Sequence, residues 1–233
     1  MKLIKAYWEK QNLNKQVLEV ILCQHDILND NFFGITDTYE YVVVKLREFS
    51  HIIGKQLEEK GFCYAENMFE LQGDKNCFEK ILTDCGQAIT YEIDNSQIDN
   101  IMEKVLFTTD RIALDPVFGT EFSKNRYKNW MKSFAQNKTG KLAVVSKEGE
   151  EIGFTFFSEN TNDVDFLLTG IFEQFMGQHC GIGLIVAQAM IANRIRKTAC
   201  TSVSSNNTPS LRMHIKAGYL PVSSTTVFIK HNK

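Results

Sequence analysis

The order of apolar and polar residues predicts a small set of helices and strands in the first part of the chain. Residues 14–28 repeat apolar side chains at helical spacing, so they are predicted to form an amphipathic helix. Apolar runs at 41–46 and 63–71 predict two strands, and residues 51–60 predict a helix between them that ends at Gly61. This pattern is typical of an α/β unit.

The second part of the chain carries a longer series of elements. The polar stretch 72–76 interrupts the pattern, so a domain junction is predicted between residues 72 and 87, dividing the chain into 1–80 and 81–233. Ser96 and Asp99 predict a capping box at the start of a helix. The predicted order is β-α-α-β-β-β-α-β-α-β, with strands at 88–93, 142–146, 152–157, 164–172, 199–205 and 225–230, and helices at 96–106, 122–134, 183–197 and 211–217.

Composition places the chain among proteins with a large core. It has 233 residues, 43% of them hydrophobic and 23% charged. No apolar run approaches the about 20 residues that span a bilayer, and the first residues are polar where a signal peptide would be apolar. A soluble, cytoplasmic protein is expected. The cysteines and histidines lack metal-ligand spacing, so no metal is expected either.

The net charge of -2 hides an asymmetry along the chain. Residues 174–233 contain no Asp or Glu and seven cations: Arg194, Arg196, Lys197, Arg212, Lys216, Lys230 and Lys233. This division suggests that the C-terminal part meets an anion. Nucleic acid, a membrane surface and a polyphosphate ligand are the candidates, and composition leaves all three open.

The segment from Gln178 to Gly183 lies between a predicted strand and a predicted helix. Free backbone N–H groups and the positive end of a helix dipole meet there, which suits a phosphate site, and an ordinary tight turn is the equal alternative. Its glycines are expected to let a phosphate approach the amides. Gly170, inside the preceding strand, indicates a bulge or the close approach of a ligand. A dinucleotide fingerprint is excluded because Val186 occupies the place of its third glycine.

These residues occur together with further ones at regular spacing after the next strand: Gln178, Gly181, Gly183, Asn207, His214 and Gly218-Tyr219. The set resembles the GCN5-related N-acetyltransferase (GNAT) superfamily, whose donor loop reads Q/R-x-x-G-x-G/A and whose next segment carries Asn, then Tyr seven residues later, then Gly-Phe. The resemblance implies the GNAT, or acyl-CoA N-acyltransferase, fold: an α/β structure with a mixed central sheet flanked by helices. A smaller, partial N-terminal α/β domain is expected before it.

Four further segments narrow the resemblance: Asn31-Phe32-Phe33-Gly34, Gly61-Phe62, 109–119 (TDRIALDPVFG) and 125–130 (NRYKNW). They look like dTDP-fucosamine acetyltransferases, and the likeness runs from about residue 29 to the C-terminus. It implies acetyl-CoA as co-substrate and a nucleotide-linked (dTDP) amino sugar, attacked through its primary amine, as acceptor. Neither nucleic acid nor a membrane is expected as a partner, and a homodimer is left open.

The resemblance also implies roles for individual residues. Acetyl-CoA is expected at Ile171, Phe172, Glu173, Gln178, His179, Cys180, Gly181, Ile182, Gly183 and Asn207. A backbone N–H within Ile171 to Glu173 would stabilise the charge that develops on the carbonyl oxygen. The acceptor is expected at Arg111, Asp115 and Tyr127, with a mutual pairing of Arg111 and Asp115 as the structural alternative.

His214 stands where the resembled enzymes have a tyrosine that is thought to protonate the leaving thiolate. A histidine can serve as this general acid, since its ordinary pKa is about 6.5. The alternative is an exposed helix histidine without a role. No general base is evident, because Glu173, Asp165 and a water chain serve equally well. Two other functions stay open: acetylation of a protein or peptide, which needs an open groove, and non-catalytic binding of acetyl-CoA, which the departure at His214 favours.

Overall fold

The computed structural model describes residues 1–85 and 88–232, which contain ten strands and eight α-helices. The strands are β1 Lys2–Lys5, β2 Val17–Leu22, β3 Tyr41–Leu46, β4 Cys63–Gly73, β5 Ile89–Ile93, β6 Lys141–Lys147, β7 Glu150–Glu159, β8 Asp163–Ile171, β9 Thr198–Ser204 and β10 Leu220–His231. The helices are α1 Tyr7–Leu13, α2 Asp30–Thr36, α3 His51–Glu59, α4 Lys75–Cys85, α5 Ile98–Glu103, α6 Thr120–Gln136, α7 Gly181–Ile195 and α8 Thr208–Lys216.

All ten strands belong to one mixed sheet in the order β1-β2-β3-β10-β4-β9-β8-β7-β6-β5. The pairs β2–β3 and β8–β9 are parallel, and the other neighbours are antiparallel. The last strand, β10, lies between β3 and β4, so the two ends of the chain build the same part of the sheet. The predicted division after residue 80 falls inside α4, and both sides of it supply strands to this sheet.

Helices cover both faces of the sheet. Successive residues of β3 belong to different apolar clusters: Val42 and Val44 pack with Phe32, Phe33 and Phe62, whereas Tyr41 and Val43 pack with Leu13 of α1 and Ile112. This division follows from the alternation of side chains along a strand. Helix α1 also packs on α6, and α4 and α8 pack on α7. None of the helices among the described residues is long and apolar enough to cross a membrane.

The predicted helix at residues 14–28 is wrong. Helix α1 ends at Leu13, and β2 takes up Val17–Leu22 between β1 and β3. Leu18, Val20 and Leu22 face one apolar cluster, and Val17 faces another, so the strand is buried on both sides. A strand of this kind shows a nearly continuous apolar run, which short-range spacing does not distinguish from a helix.

The predicted polar break at 72–76 overlaps the start of a helix. Asp74 Oδ1 accepts the Cys77 N–H at 3.0 Å, so this polar stretch caps α4. The capping box at Ser96 is also wrong, because the Asp94 carboxylate accepts the Ser96 N–H at 2.8 Å and begins a short 3₁₀ turn that leads into α5. The remaining predicted elements and the order from β5 to β10 are confirmed, with boundaries moved by a few residues.

Candidate active site

The parallel strands β8 and β9 diverge at the middle of the sheet. Their pairing covers Asp163–Phe166 and Thr198–Thr201 and ends there, although β8 continues to Ile171 and β9 to Ser204. The divergence begins at a β-bulge, because Phe156 of β7 pairs with Leu168 while Phe157 pairs with Phe166, which leaves Leu167 as the extra residue. A bulge bends its strand. The result is a wedge between two neighbouring strands.

Main-chain groups of β8 face this wedge. The Phe172 N–H donates to the Ile152 carbonyl at 2.9 Å, and positions along an antiparallel pair alternate between bonded and non-bonded. The amides of Ile171 and Thr169, opposite Gly153 and Thr155, therefore point away from β7 and towards the wedge. The Glu173 N–H donates to the Lys104 carbonyl at 2.8 Å. Of the three amides proposed for charge stabilisation, those of Phe172 and Glu173 are thus already bonded, and the Ile171 amide points to the wedge.

Gly170 is not the bulge residue, and a side chain at this position would point into the core and not towards the wedge. A Cβ at this position would come within 2.6 Å of the Phe154 ring and 3.3 Å of Val105. Core packing therefore explains this glycine, and the bulge lies three residues earlier, at Leu167.

The predicted donor loop leads into the N-terminus of α7. Gly177 and His179 adopt left-handed φ angles of 77° and 57°, which turn the chain into the helix. No side chain of the described residues caps α7, and the Gly183 N–H donates to the Cys180 carbonyl at 3.0 Å. The amides of Gly181 and Ile182 are therefore the first-turn donors that suit an anion. Gln178, His179 and Ile182 are exposed, whereas Cys180, at the N-cap, is buried.

The two loop glycines were expected to leave room for a phosphate. This reason is wrong, because a side chain on either glycine would run into protein atoms. A Cβ on Gly183 would come within 2.8 Å of Ile152 Cδ1 and 2.9 Å of Ile89 Cδ1. A Cβ on Gly181 would lie 2.7 Å from the Met213 sulfur of α8. Both glycines therefore allow α7 to approach the sheet and α8 closely.

Four of the seven C-terminal cations lie away from the predicted donor loop. Arg194 and Arg196 lie at the far end of α7, roughly 20 Å from Gly181 at the usual helical rise. Lys197 donates to the Asn160 carbonyl, and Lys230 pairs with Asp37 at 2.7 Å. These four cations therefore do not support a phosphate site at the loop, whereas Arg212 and Lys216 lie on α8, whose Met213 is next to Gly181.

A cavity of about 360 Å³ adjoins the wedge. The divergent ends of β8 and β9 form one wall, and β4, β10, α6, α8 and the segment 107–111 close the others. Four residues that the sequence analysis assigned to a site line it together: Arg111, Tyr127, Asn207 and His214.

Asn207 Oδ1 also accepts the Ser210 N–H at 3.2 Å and caps α8. Tyr127 packs on Phe107 with ring centroids 4.7 Å apart, and burial raises the pKa of its hydroxyl.

His214 is buried, with 3% of its surface exposed, so the alternative of an exposed helix histidine is wrong. Its Nδ1 lies 2.9 Å from the Ser210 carbonyl one turn earlier. A carbonyl only accepts, so in the neutral ring Nδ1 carries the proton and Nε2 carries a lone pair. Burial lowers the pKa of this imidazole. Nε2 has no partner among the described residues.

Arg111 is held by a buried ionic cluster that the sequence analysis did not find. Glu9 of α1, 3% exposed, accepts two-pronged hydrogen bonds of 2.6 to 2.9 Å from Arg126 and lies 3.8 Å from Arg111. The alternative pairing of Arg111 with Asp115 does not occur. Asp115 Oδ2 lies 2.8 Å from His231 Nε2, and Asp115 is not brought together with the cavity residues.

Glu66 of β4 also lines the cavity and is 2% exposed. Burial raises the pKa of its carboxyl group, and the nearby Ser204 hydroxyl opposes this rise. The only sequence signal for Glu66 is that a charged residue occurs inside the predicted strand 63–71. The two carboxylates considered as bases lie elsewhere: Asp165 is in the paired part of β8, and Glu173 is exposed.

Solved structures with the same fold include several acetyltransferases. A conserved protein of unknown function from Staphylococcus epidermidis superposes with a TM-score of 0.65 at 11% identity, covering 93% of this chain and 84% of that one. A tandem GNAT protein from the clavulanic acid biosynthesis pathway superposes with a TM-score of 0.57 at 10% identity, covering 86% of this chain and 67% of that one. A GCN5-related N-acetyltransferase from Sphaerobacter thermophilus superposes with a TM-score of 0.53 at 14% identity, covering 82% of this chain and 60% of that one.

Neither a family model nor a curated protein matches the sequence. The structural likeness nevertheless establishes the architecture. The chain has the GNAT fold, and the predicted fold class, a mixed central sheet flanked by helices, is confirmed.

Proposed function

We propose that this protein transfers the acetyl group of acetyl-CoA to the primary amine of a small acceptor. The observation that carries the proposal is the divergence of β8 and β9 at the Leu167 bulge, beside a cavity lined by a buried histidine. The fold shared with N-acetyltransferases supports it.

The residues of the wedge fit acetyl-CoA. The outward amides and carbonyls of Thr169 and Ile171 suit the amide-containing arm of the coenzyme, as an added strand suits a sheet edge. The first-turn amides of α7 suit its pyrophosphate. When bound, the coenzyme supplies an acetyl group activated as a thioester. The Ile171 N–H is then the donor best placed to stabilise negative charge on the carbonyl oxygen.

His214 acts as a proton relay in this proposal, rather than as an acid from the start. Its lowered pKa and its bond to Ser210 leave Nε2 unprotonated at neutral pH. The ring must therefore accept a proton before it can donate one. Nε2 takes the proton that the attacking amine must lose, and the protonated ring then returns a proton to the leaving sulfur. The same residue thus performs both transfers.

The acceptor we propose is a nucleotide-linked amino sugar. The cavity is bounded by several separate segments of the chain, which supports a small acceptor over a peptide in an open groove. Segments 109–119 and 125–130, which resemble those of dTDP-fucosamine acetyltransferases, supply Thr109, Arg111 and Tyr127 to its wall. An unpartnered imidazole nitrogen beside this cavity supports catalysis over mere binding of the coenzyme.

The test is a turnover assay with free thiol as the readout. Acetyl-CoA would be offered with dTDP-linked amino sugars, free amino sugars and peptides with free N-termini, and its affinity would be measured by calorimetry. We expect binding of acetyl-CoA and turnover with a dTDP-linked amino sugar. Turnover confined to peptides would overturn the acceptor class. Binding without any turnover would indicate the non-catalytic alternative.

A further inference from the structure

Buried polar atoms without partners concentrate at the cavity. In the described part of the chain, five buried side-chain nitrogen or oxygen atoms have no hydrogen-bond partner: Tyr41 Oη, Glu66 Oε2, Arg111 Nε, His214 Nε2 and His231 Nδ1. Three of them belong to residues that line the same cavity. A buried polar atom without a partner costs free energy comparable to a lost hydrogen bond. Their concentration therefore indicates a polar occupant.

The three atoms define what that occupant must offer. An ionised Glu66 only accepts hydrogen bonds, and so does the lone pair of His214 Nε2. The Arg111 Nε–H only donates. The matching molecule therefore presents at least two donors and one acceptor. A primary ammonium group has three N–H donors, and a neighbouring hydroxyl or phosphoryl oxygen supplies the acceptor.

We propose that Glu66 binds the acceptor's ammonium group and removes its first proton, while Arg111 Nε donates to an oxygen of the same molecule. This inference rests on the proposed acetyl transfer and names the substrate class: a primary amine that carries an oxygen acceptor nearby. Glu66 is thereby a catalytic residue, and Arg111 determines specificity.

The protons balance with two acceptors. The ammonium group gives one proton to the Glu66 carboxylate and becomes a neutral amine. The amine attacks the acetyl carbonyl, its second proton passes to His214 Nε2, and the carbon–sulfur bond breaks. His214 returns its proton to the sulfur, and Glu66 releases its proton to solvent. The products are the acetylated amine, the free thiol and one proton.

The surroundings of Glu66 make its carboxylate a better proton acceptor than an exposed carboxylate. Burial raises the pKa of the carboxyl group, while Ser204, Arg111 and Arg126 lower it and Asp110 raises it. The other titratable or charged side chains lining the cavity are Lys45, Glu70, Tyr127 and His214. Lys45 is paired with Glu19 at 2.9 Å, so it does not neutralise Glu66.

The first test is Glu66→Gln, which keeps the shape and removes the charge. Glu92→Gln, at an exposed position on the edge strand β5, is the matched control. With the best amine of the panel, Glu66→Gln should lower kcat/KM by about 10²- to 10⁴-fold, the usual effect of losing a positioned base, and leave acetyl-CoA affinity unchanged. Acceptor kinetics within twofold of the wild type overturn the inference.

Stability distinguishes this role from a structural one. The raised pKa means that the folded protein holds the Glu66 proton at pH values where the unfolded chain has lost it. The wild type therefore loses stability as pH rises from about 4.5 through the folded pKa, and Glu66→Gln lacks this loss. We expect equal melting temperatures near pH 4 and a higher value for Glu66→Gln above neutral pH. A lower melting temperature for Glu66→Gln than for the wild type at both pH values would show that Glu66 stabilises the fold, and it would overturn the inference.

A binding probe separates this inference from the proposed function. D-glucosamine carries a primary ammonium beside hydroxyl groups, and D-glucose is its counterpart without the amine. Glucosamine should raise the melting temperature of the wild type and not of Glu66→Gln, and glucose should affect neither. An equal response of both proteins to glucosamine, or none in the wild type, overturns the ammonium site. A failure of acetyl transfer would instead appear as missing turnover despite this response.

Discussion

At the scale of single residues, the hydrogen bond made by His214 determines its chemistry more than its position along the chain does. Spacing from Asn207 identifies the residue but leaves its protonation open. The contact of Nδ1 with the Ser210 carbonyl fixes the tautomer, and burial keeps the ring neutral. The same residue that the sequence predicts as a general acid is therefore proposed to accept a proton first.

His214→Gln should lower kcat about 10²- to 10⁴-fold and leave acetyl-CoA affinity unchanged, because proton relay matters only during the reaction. In the wild type, kcat should fall as pH drops below the His214 pKa, which burial holds under 6.5. The variant should lack the part of this acid limb that His214 causes, and steady-state kinetics across pH measure both effects.

The control is His51→Gln, at an exposed position on α3. It should keep the wild-type rate and the wild-type pH profile. A His214→Gln enzyme with the wild-type profile would remove His214 from the proton path.

At the scale of elements, the contact between α7 and the sheet explains the donor loop glycines. Gly183 lies against Ile89 and Ile152, so a side chain there disturbs the packing before it reaches any ligand. A bulky substitution would therefore reduce donor binding without revealing whether the loop binds phosphate. The informative substitution is therefore the smallest one, Gly183→Ala.

Gly183→Ala should lower the melting temperature, because its Cβ would lie 2.8 Å from Ile152 Cδ1. Adding Ile152→Val removes that methyl group and should restore part of the loss. The relieved double variant should keep near-normal acetyl-CoA affinity, measured by calorimetry. A double variant that regains stability but fails to bind acetyl-CoA would show that Gly183 serves the ligand after all.

At the scale of the whole molecule, the position of β10 ties the two ends of the chain together. Strand β4 pairs with β9 and β10, and β3 pairs with β2 and β10. In a fragment of residues 1–80, β4 would lack both of its neighbouring strands, and β3 would lack β10. The predicted N-terminal domain is therefore expected to depend on the rest of the chain.

A fragment of residues 1–80 should show no cooperative thermal unfolding by circular dichroism, whereas the full chain should show one transition. The reason is that unpaired edges leave backbone groups and apolar faces exposed. A cooperative transition in the fragment would contradict this expectation and support an independent domain.

The sequence by itself determined most local elements, and it singled out the loop before α7 and His214. Each of these depends on residues close together in the chain: alternation within a strand, caps at a helix end, or the seven-residue spacing between Asn207 and His214. The sequence failed at 14–28, where a strand buried on both faces has the same apolar density as a helix.

Only the tertiary structure decided which groups meet at the cavity. Glu9 and Arg126 are 117 residues apart, and Glu66 faces the cavity because β4 pairs with strands from the other end of the chain. The free Ile171 amide likewise depends on a bulge and on the divergence of β9. Burial, strand register and partner choice arise from packing between distant segments, and no local pattern encodes them.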